Sequence, residues 1–184
     1  MTNLPSAIGP GTDFLGDPTL LGSGVNLDTT HRLQKAVTAR RKSRFEAERL
    51  LWEARAEDPA CLPVYQALYN FYAHAFRLKD AMRVTRLAMA EAARQGGFSP
   101  DWEKLNLESD GSAHVDLYAS EAGRFYLIAL RSLALLCLRQ KKFDDAATVI
   151  DHLMRLDREN RLGKLSIDSI AAFASATPPA EDHG

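Results

Sequence analysis

The chain has 184 residues, and its 23 Lys and Arg against 24 Asp and Glu leave a formal net charge of −1. That balance is unlike the large basic excess of a general nucleic-acid binder, and 2 cysteines are too few for a disulfide scaffold or a four-cysteine metal site. Hydrophobic residues make up 46% of the chain and charged residues 26%, which is typical of one folded, globular domain.

The first segment, residues 1–27, carries Gly and Pro at short intervals and has no helical periodicity, so we predict a flexible N-terminal arm. It lacks the basic and apolar regions of a signal peptide. The most apolar stretch, residues 127–138, is interrupted by Arg131 and is shorter than the ~20 residues of a membrane span. We therefore expect a cytoplasmic protein without a membrane partner.

A helical pattern follows the arm. Residues 28–30 offer N-caps before a long run with few helix breakers. Further helices are predicted over 62–75, over 79–95 with a stop at two glycines, after Gly123 to about residue 140, and over 144–156. No segment alternates as a strand would, so the predicted fold class is all-α.

Small and large residues recur in three windows of 34 residues, at 28–61, 62–95 and 127–160. Large residues recur at places 4, 7 and 11, and small residues at places 8, 20 and 27, where they would let two helices approach closely. The small residues are Ala134 at place 8, Ala47, Ala81 and Ala146 at place 20, and Ala54 and Ala88 at place 27.

This pattern resembles the tetratricopeptide repeat (TPR) family, with the sharpest match at Lys142-Phe143-Asp144-Asp145-Ala146. The resemblance implies antiparallel helical hairpins stacked as a short TPR-like solenoid within residues 28–175. His31 and Lys35 depart from the pattern and make the first helix degenerate.

Residues 96–126 form an insertion between the second and third windows and are rich in acidic residues. Ser99 is predicted as the N-cap of a short helix with Pro100 at its first position, packed by Trp102. The insertion either covers the stack or forms a binding loop. Beyond the third window we predict a capping helix at about 162–175 and a disordered tail over 176–184.

Chemistry-bearing motifs are missing from the sequence, including phosphate-binding loops, nucleophile elbows and zinc-protease motifs. Cys137 lies in an apolar run and is predicted to be a buried structural thiol, whereas Cys61 follows a helix end and is expected to be partly exposed. The five histidines show no metal-ligand spacing. We expect no catalytic residues, no metal and no cofactor.

The TPR resemblance implies that the first helix of each hairpin lines an inner groove. Arginines bind carboxylates in bidentate fashion, and Asn and Gln can bond a peptide backbone, so this groove would hold an extended or acidic peptide. Trp102 is predicted as a second contact. Carried over to this chain, the groove positions are Arg32, Arg40, Gln66, Asn70, His74, Arg131 and Arg139.

The function predicted from these features is that of a non-catalytic adaptor that binds another protein; a homodimer is left open. The segments 58–65, 97–98, 101–102 and 123–127 also resemble small repeat proteins of bacterial nitrogen-fixation gene clusters, so an accessory role in nitrogen fixation is an alternative. A small enzyme and a nucleic-acid-associated regulator are further alternatives. The basic run over 40–44 is interpreted as a solvated turn or as a partner of the acidic insertion, and nucleic acid is not the expected ligand.

Overall fold

The computed structural model describes residues 26–105, 115–157 and residue 161. The predicted capping helix, the tail and nearly all of the N-terminal arm lie outside the described residues. Over those ranges the chain forms six α-helices and one 3₁₀ turn without any strand, which confirms the all-α prediction for that part. The elements are α1 (Leu27–Arg40), α2 (Arg44–Glu57), α3 (Leu62–His74), α4 (Leu78–Gly96), the 3₁₀ turn (Trp102–Lys104), α5 (Glu121–Arg139) and α6 (Phe143–Leu156).

Two compact units divide the chain, residues 1–75 and residues 76–184, where the composition predicted one domain. The boundary falls inside the second 34-residue window, so that α3 belongs to the first unit and α4 to the second. The TPR resemblance had treated these two helices as one hairpin.

In the first unit, α2 packs against both α1 and α3. Ala47 and Ala54 on α2 are fully buried, as their predicted places at a helix contact require. The long helical run expected after the arm is broken in two, because the Ser43 hydroxyl accepts a hydrogen bond from the N–H of Glu46 at 3.2 Å and caps a new helix.

In the second unit, α5 packs against both α4 and α6. The alanines at the predicted contact places are again buried, Ala81 and Ala88 on α4 and Ala146 on α6. Helix α4 ends as predicted at the glycine pair, where Gly97 adopts a left-handed φ of 70°.

The predicted start of α5 after Gly123 is wrong. The helix begins at Glu121 and is capped by Ser120, whose hydroxyl accepts a hydrogen bond from the N–H of Gly123 at 2.9 Å. A Cβ atom at Gly123 would lie 2.2 Å from the carbonyl oxygen of Leu117. Gly123 therefore lies inside the helix, where the lack of a side chain lets the backbone of Leu117 come close. The last part of the predicted insertion, residues 121–126, belongs to α5.

The short helix predicted after Ser99 is also shifted. The element is a single 3₁₀ turn, and its cap is Asp101, whose carboxylate accepts the N–H of Glu103 at 3.1 Å. Ser99 instead accepts the N–H of Asp101 at 3.2 Å, so Pro100 precedes the turn. None of the helices within the described ranges has both the length and the apolar character needed to cross a bilayer.

Candidate functional site

A cavity of about 490 Å³ lies within the second unit, between α4, α5, α6 and the segment that carries the 3₁₀ turn. We call it the Trp102 cleft. Its volume is in the range of small-ligand binding sites. The lining residues are Met82, Arg86, Met89, Pro100, Asp101, Trp102, Glu103, Leu133, Cys137, Lys142, Asp145, Thr148 and Val149.

The apolar lining of the cleft comes from the three helices. Met82 and Met89 share one face of α4, Leu133 and Cys137 are one turn apart on α5, and Val149 comes from α6. All five side chains are buried by the fold. They form a surface suited to an apolar group, and methionines adapt readily to different shapes.

Trp102 forms a wall of the cleft and is half-buried. Its indole ring meets the imidazole of His152 on α6 edge to face, with ring centroids 4.6 Å apart. The preceding residues are held by α5, because the hydroxyl of Tyr126 donates a 2.8 Å hydrogen bond to the carbonyl oxygen of Pro100. The ring of Phe98 also packs on the edge of Tyr126 at 5.1 Å. The wall is thus attached to the helices at several points.

Charges of both signs surround the cleft. Asp101 pairs with Lys104 at 3.1 Å, and Glu103 and Asp145 add further carboxylates. Within the described ranges, neither Arg86 nor Lys142 forms an ion pair or a hydrogen bond through its side chain. Polar groups of both kinds are therefore available to a ligand around an apolar floor.

The thiol of Cys137 is buried, as predicted, and burial together with the charge of Asp145 raises its pKa, against the opposing effect of Lys142 and Arg86. It is therefore protonated near neutral pH, a poor state for a nucleophile or a metal ligand. Among the described residues, no three His, Cys, Asp or Glu side chains are arranged to hold a metal ion. The side chains that line the Trp102 cleft can hold an apolar group beside charged groups.

The groove residues predicted in the first unit have partners inside that unit. Arg32 forms ion pairs with Glu53 at 3.5 Å and with Glu57 at 2.5 Å, both on α2. On α3, the amide of Gln66 donates a 3.1 Å hydrogen bond to Asn70, which is itself buried.

The remaining groove residues lie near helix ends or on α5. Arg40 is half-buried in the last turn of α1, and His74 is exposed as the last residue of α3. Arg131 is half-buried on α5. At the end of that helix, the guanidinium of Arg139 lies over the ring of Phe76 at 4.6 Å.

Of the predicted site residues, Trp102 is the one that lines the cleft. Sequence reasoning did not find the other residues that line the cleft, because they come from three helices and a loop that are far apart in the chain. A local signal did exist in the spacing of Met82, Arg86 and Met89 along one side of α4, but the same spacing also fits an ordinary buried face.

Over the residues that the structure describes, fold and site together define an all-α protein that fits a repeat-like helical protein and that carries a cleft of about 490 Å³. The chain belongs to the family of the "uncharacterized 19.8 kDa protein in nifW 5′ region" of Azotobacter chroococcum mcd 1, to which it is 32% identical over 134 residues, 70% of this chain and 72% of that protein. No family model matches the chain, and no solved structure matches it.

Proposed function

We propose that this protein is a non-catalytic adaptor in bacterial nitrogen fixation that binds a segment of another protein in the Trp102 cleft. The cleft itself carries the proposal, since it combines an apolar floor, an aromatic wall and the two cations Arg86 and Lys142, which form no ion pair with the described residues. The name of the relative from Azotobacter chroococcum, which refers to the nifW 5′ region, supports the assignment to nitrogen fixation.

An apolar anchor side chain from the partner fits this site best. Burying such a side chain contributes roughly 1.5–3 kcal/mol, and buried central anchors carry much of the energy of protein interfaces. Charged residues of both signs at the cleft would orient the partner segment. Carboxylates of the partner would face Arg86 or Lys142, and cations of the partner would face Glu103 or Asp145.

The groove predicted from the TPR resemblance remains the competing binding surface for the same adaptor function. Its weakness is that Arg32 is already paired with two glutamates of α2 and that Asn70 is buried beside Gln66. A ligand there would have to compete with contacts that the protein makes with itself. Arg131 and Asn70 are the positions that best test this alternative.

A large side chain at an exposed lining residue would block the cleft without changing the buried core, and this tests the proposal. Thr148 lines the cleft, is exposed, and donates its hydroxyl to the carbonyl of Asp144 one turn earlier at 2.9 Å. Thr38 on α1 is a matched control, since it is also exposed and donates to the carbonyl of Gln34 at 3.1 Å. Tagged full-length Thr148→Arg should capture the partner from nitrogen-fixing cells about tenfold less than wild type or Thr38→Arg.

The paired variant Asn70→Ala with Arg131→Ala separates the two surfaces. If the cleft binds the partner, this variant captures it as the wild type does, while Trp102→Ala does not. Retained capture by Thr148→Arg and Trp102→Ala, with loss in the paired variant, would transfer the site to the predicted groove. Circular dichroism of each variant checks that the helices remain folded.

The assignment to nitrogen fixation has a separate test. Deleting the gene in the native bacterium should slow growth on dinitrogen and leave growth on ammonium unchanged, and a plasmid copy should restore it. Equal growth on both nitrogen sources would contradict this assignment and would leave the binding role of the cleft to be judged by the capture experiment.

A further inference from the structure

One end of the second unit combines exposed aromatic and basic residues at two chain reversals. The first reversal precedes α4, and the second joins α5 to α6. Arg139 brings the two together, because its guanidinium lies over the ring of Phe76 at 4.6 Å. We call this surface the basic-aromatic end; its residues are Phe76, Arg77, Arg139, Lys141, Lys142 and Phe143.

The aromatic rings at this end are unusually open to solvent. The exposed fraction is 43% for Phe76 and 55% for Phe143, although phenylalanine is among the residues most often buried. Lys141 and Lys142 are exposed, and neither side chain forms an ion pair among the residues that the structure describes. Apolar and cationic groups are thus displayed side by side.

Two of these residues adopt a backbone conformation that L-amino acids seldom hold. Phe76 has a φ of 54° and Lys141 a φ of 59°, and they are the non-glycine residues with positive φ in the described ranges. Each follows a helix end by two residues, where glycine would fit without strain. Strained residues of this kind concentrate at functional sites, which indicates that the side chains have a use there.

The first unit shows the same combination at its own chain reversal. The turn after α1 and the start of α2 carry the exposed cations Arg41, Lys42 and Arg44, and Phe45 has an exposed fraction of 78%. Within the described part of the chain, these three cations form no ion pairs. Each unit, taken by itself, therefore presents an open phenylalanine beside several cations at a hairpin turn.

We infer that the basic-aromatic end binds the surface of an anionic lipid membrane. Cations near such a surface are attracted to its headgroups, and open phenylalanine rings lose their contact with water when they enter the interface. The attraction acts within a Debye length of about 8 Å, so the near-neutral net charge of the chain does not oppose it. Binding to the surface needs no spanning helix.

A polynucleotide is the less suitable anionic partner. Single-stranded nucleic acids bind along basic grooves in which successive aromatic rings stack on bases. Here the cations are grouped at short turns, and the ring of Phe76 is covered on one face by Arg139. The sequence alone predicted no membrane partner, because neither the exposure of these rings nor their position beside cations is visible in the hydrophobic pattern.

Flotation of the full chain with vesicles tests the inference. The wild type should float with vesicles of equal parts phosphatidylglycerol and phosphatidylcholine, should not float with phosphatidylcholine alone, and should be released by high salt. The double variant Lys141→Glu with Phe143→Ser should bind about tenfold less. Lys142 is left unchanged because it also lines the Trp102 cleft.

A matched control makes an equal change of charge, and also replaces an exposed apolar side chain by serine, at the opposite end of the second unit. Arg124 is exposed in the first turn of α5, and Met154, with an exposed fraction of 69%, lies in the last turn of α6. Arg124→Glu with Met154→Ser should bind vesicles as the wild type does. Equal binding by the two double variants, no preference for phosphatidylglycerol, or binding of single-stranded DNA in place of vesicles would each overturn the proposal.

Discussion

The hydroxyl of Tyr126 donates a 2.8 Å hydrogen bond to the carbonyl oxygen of Pro100, which lies 26 residues earlier in the chain. Burial, and the nearby charge of Asp101, raise the pKa of this phenol above its ordinary value, so the donor stays protonated over the physiological range. This bond attaches the wall of the Trp102 cleft to α5. It therefore offers a way to loosen the wall without touching the lining residues.

Tyr126→Phe should lower the free energy of unfolding by about 1 kcal/mol, because the Pro100 carbonyl loses its partner. It should also change the emission of Trp102, measured in a Trp52→Phe background since the chain has 2 tryptophans. The control is Tyr65→Phe, which removes a similar 2.7 Å bond to the carbonyl of Pro59. An identical change of Trp102 emission in both variants would contradict the role assigned to Tyr126.

The alanine places of the 34-residue pattern predict where helices touch. Ala81→Arg or Ala88→Arg should lower the free energy of unfolding by several kcal/mol, on the order of 3 to 5, because a long cation would replace a buried methyl group. Ala90→Arg, on the exposed side of the same helix, should be nearly neutral. Urea denaturation followed by circular dichroism measures all three, and wild-type stability of both buried variants would refute the alignment.

Gly123 should tolerate no side chain. Gly123→Ala places a methyl group against the carbonyl of Leu117, where the Cβ–oxygen distance would be 2.2 Å, and we expect a loss of roughly 1–3 kcal/mol in thermal or urea unfolding. Gly97→Ala is the comparison. That position is open but has a φ of 70°, so the expected loss is about 1 kcal/mol and comes from backbone strain alone.

Cys61 should contribute a pH dependence to stability. It is buried, contrary to the sequence expectation, and burial raises the pKa of its thiol to about 11, with a smaller contribution from the charge of Asp58. The folded state holds the thiol proton more tightly than the unfolded state does. The resulting contribution to the free energy of unfolding is therefore fully present below the unfolded pKa of about 8.5. It is lost as the pH rises through about 11.

The measurement is the free energy of unfolding of the wild type minus that of Cys61→Ala across this alkaline range. Other groups, including Tyr126, titrate in the same direction, and the subtraction removes their common effect. The difference should fall steadily from about pH 8.5 upward. A difference that stays constant with pH would contradict the burial of the thiol in solution.

Local pattern was sufficient for the kind of element, and less so for the number of helices and for their ends. The alanine spacing correctly predicted buried positions on α2, α4 and α6, because helix contacts demand small side chains at regular intervals. The start of α5 was missed because glycine reads as a helix breaker in sequence, whereas Gly123 is required by the carbonyl of Leu117. The break before α2 was missed because the capping bond of Ser43 competes with helix continuation.

Sequence by itself determined the all-α character and the buried faces, since both depend on residues within a turn or two of one another. Tertiary structure alone decided which polar groups remain available. Arg32 pairs with Glu53 and Glu57 because α2 packs against α1, and Arg139 contacts Phe76 because α4 and α5 pack together. The Trp102 cleft depends on side chains from residue 82 to residue 149, and contacts over that separation are set by chain folding rather than by local periodicity.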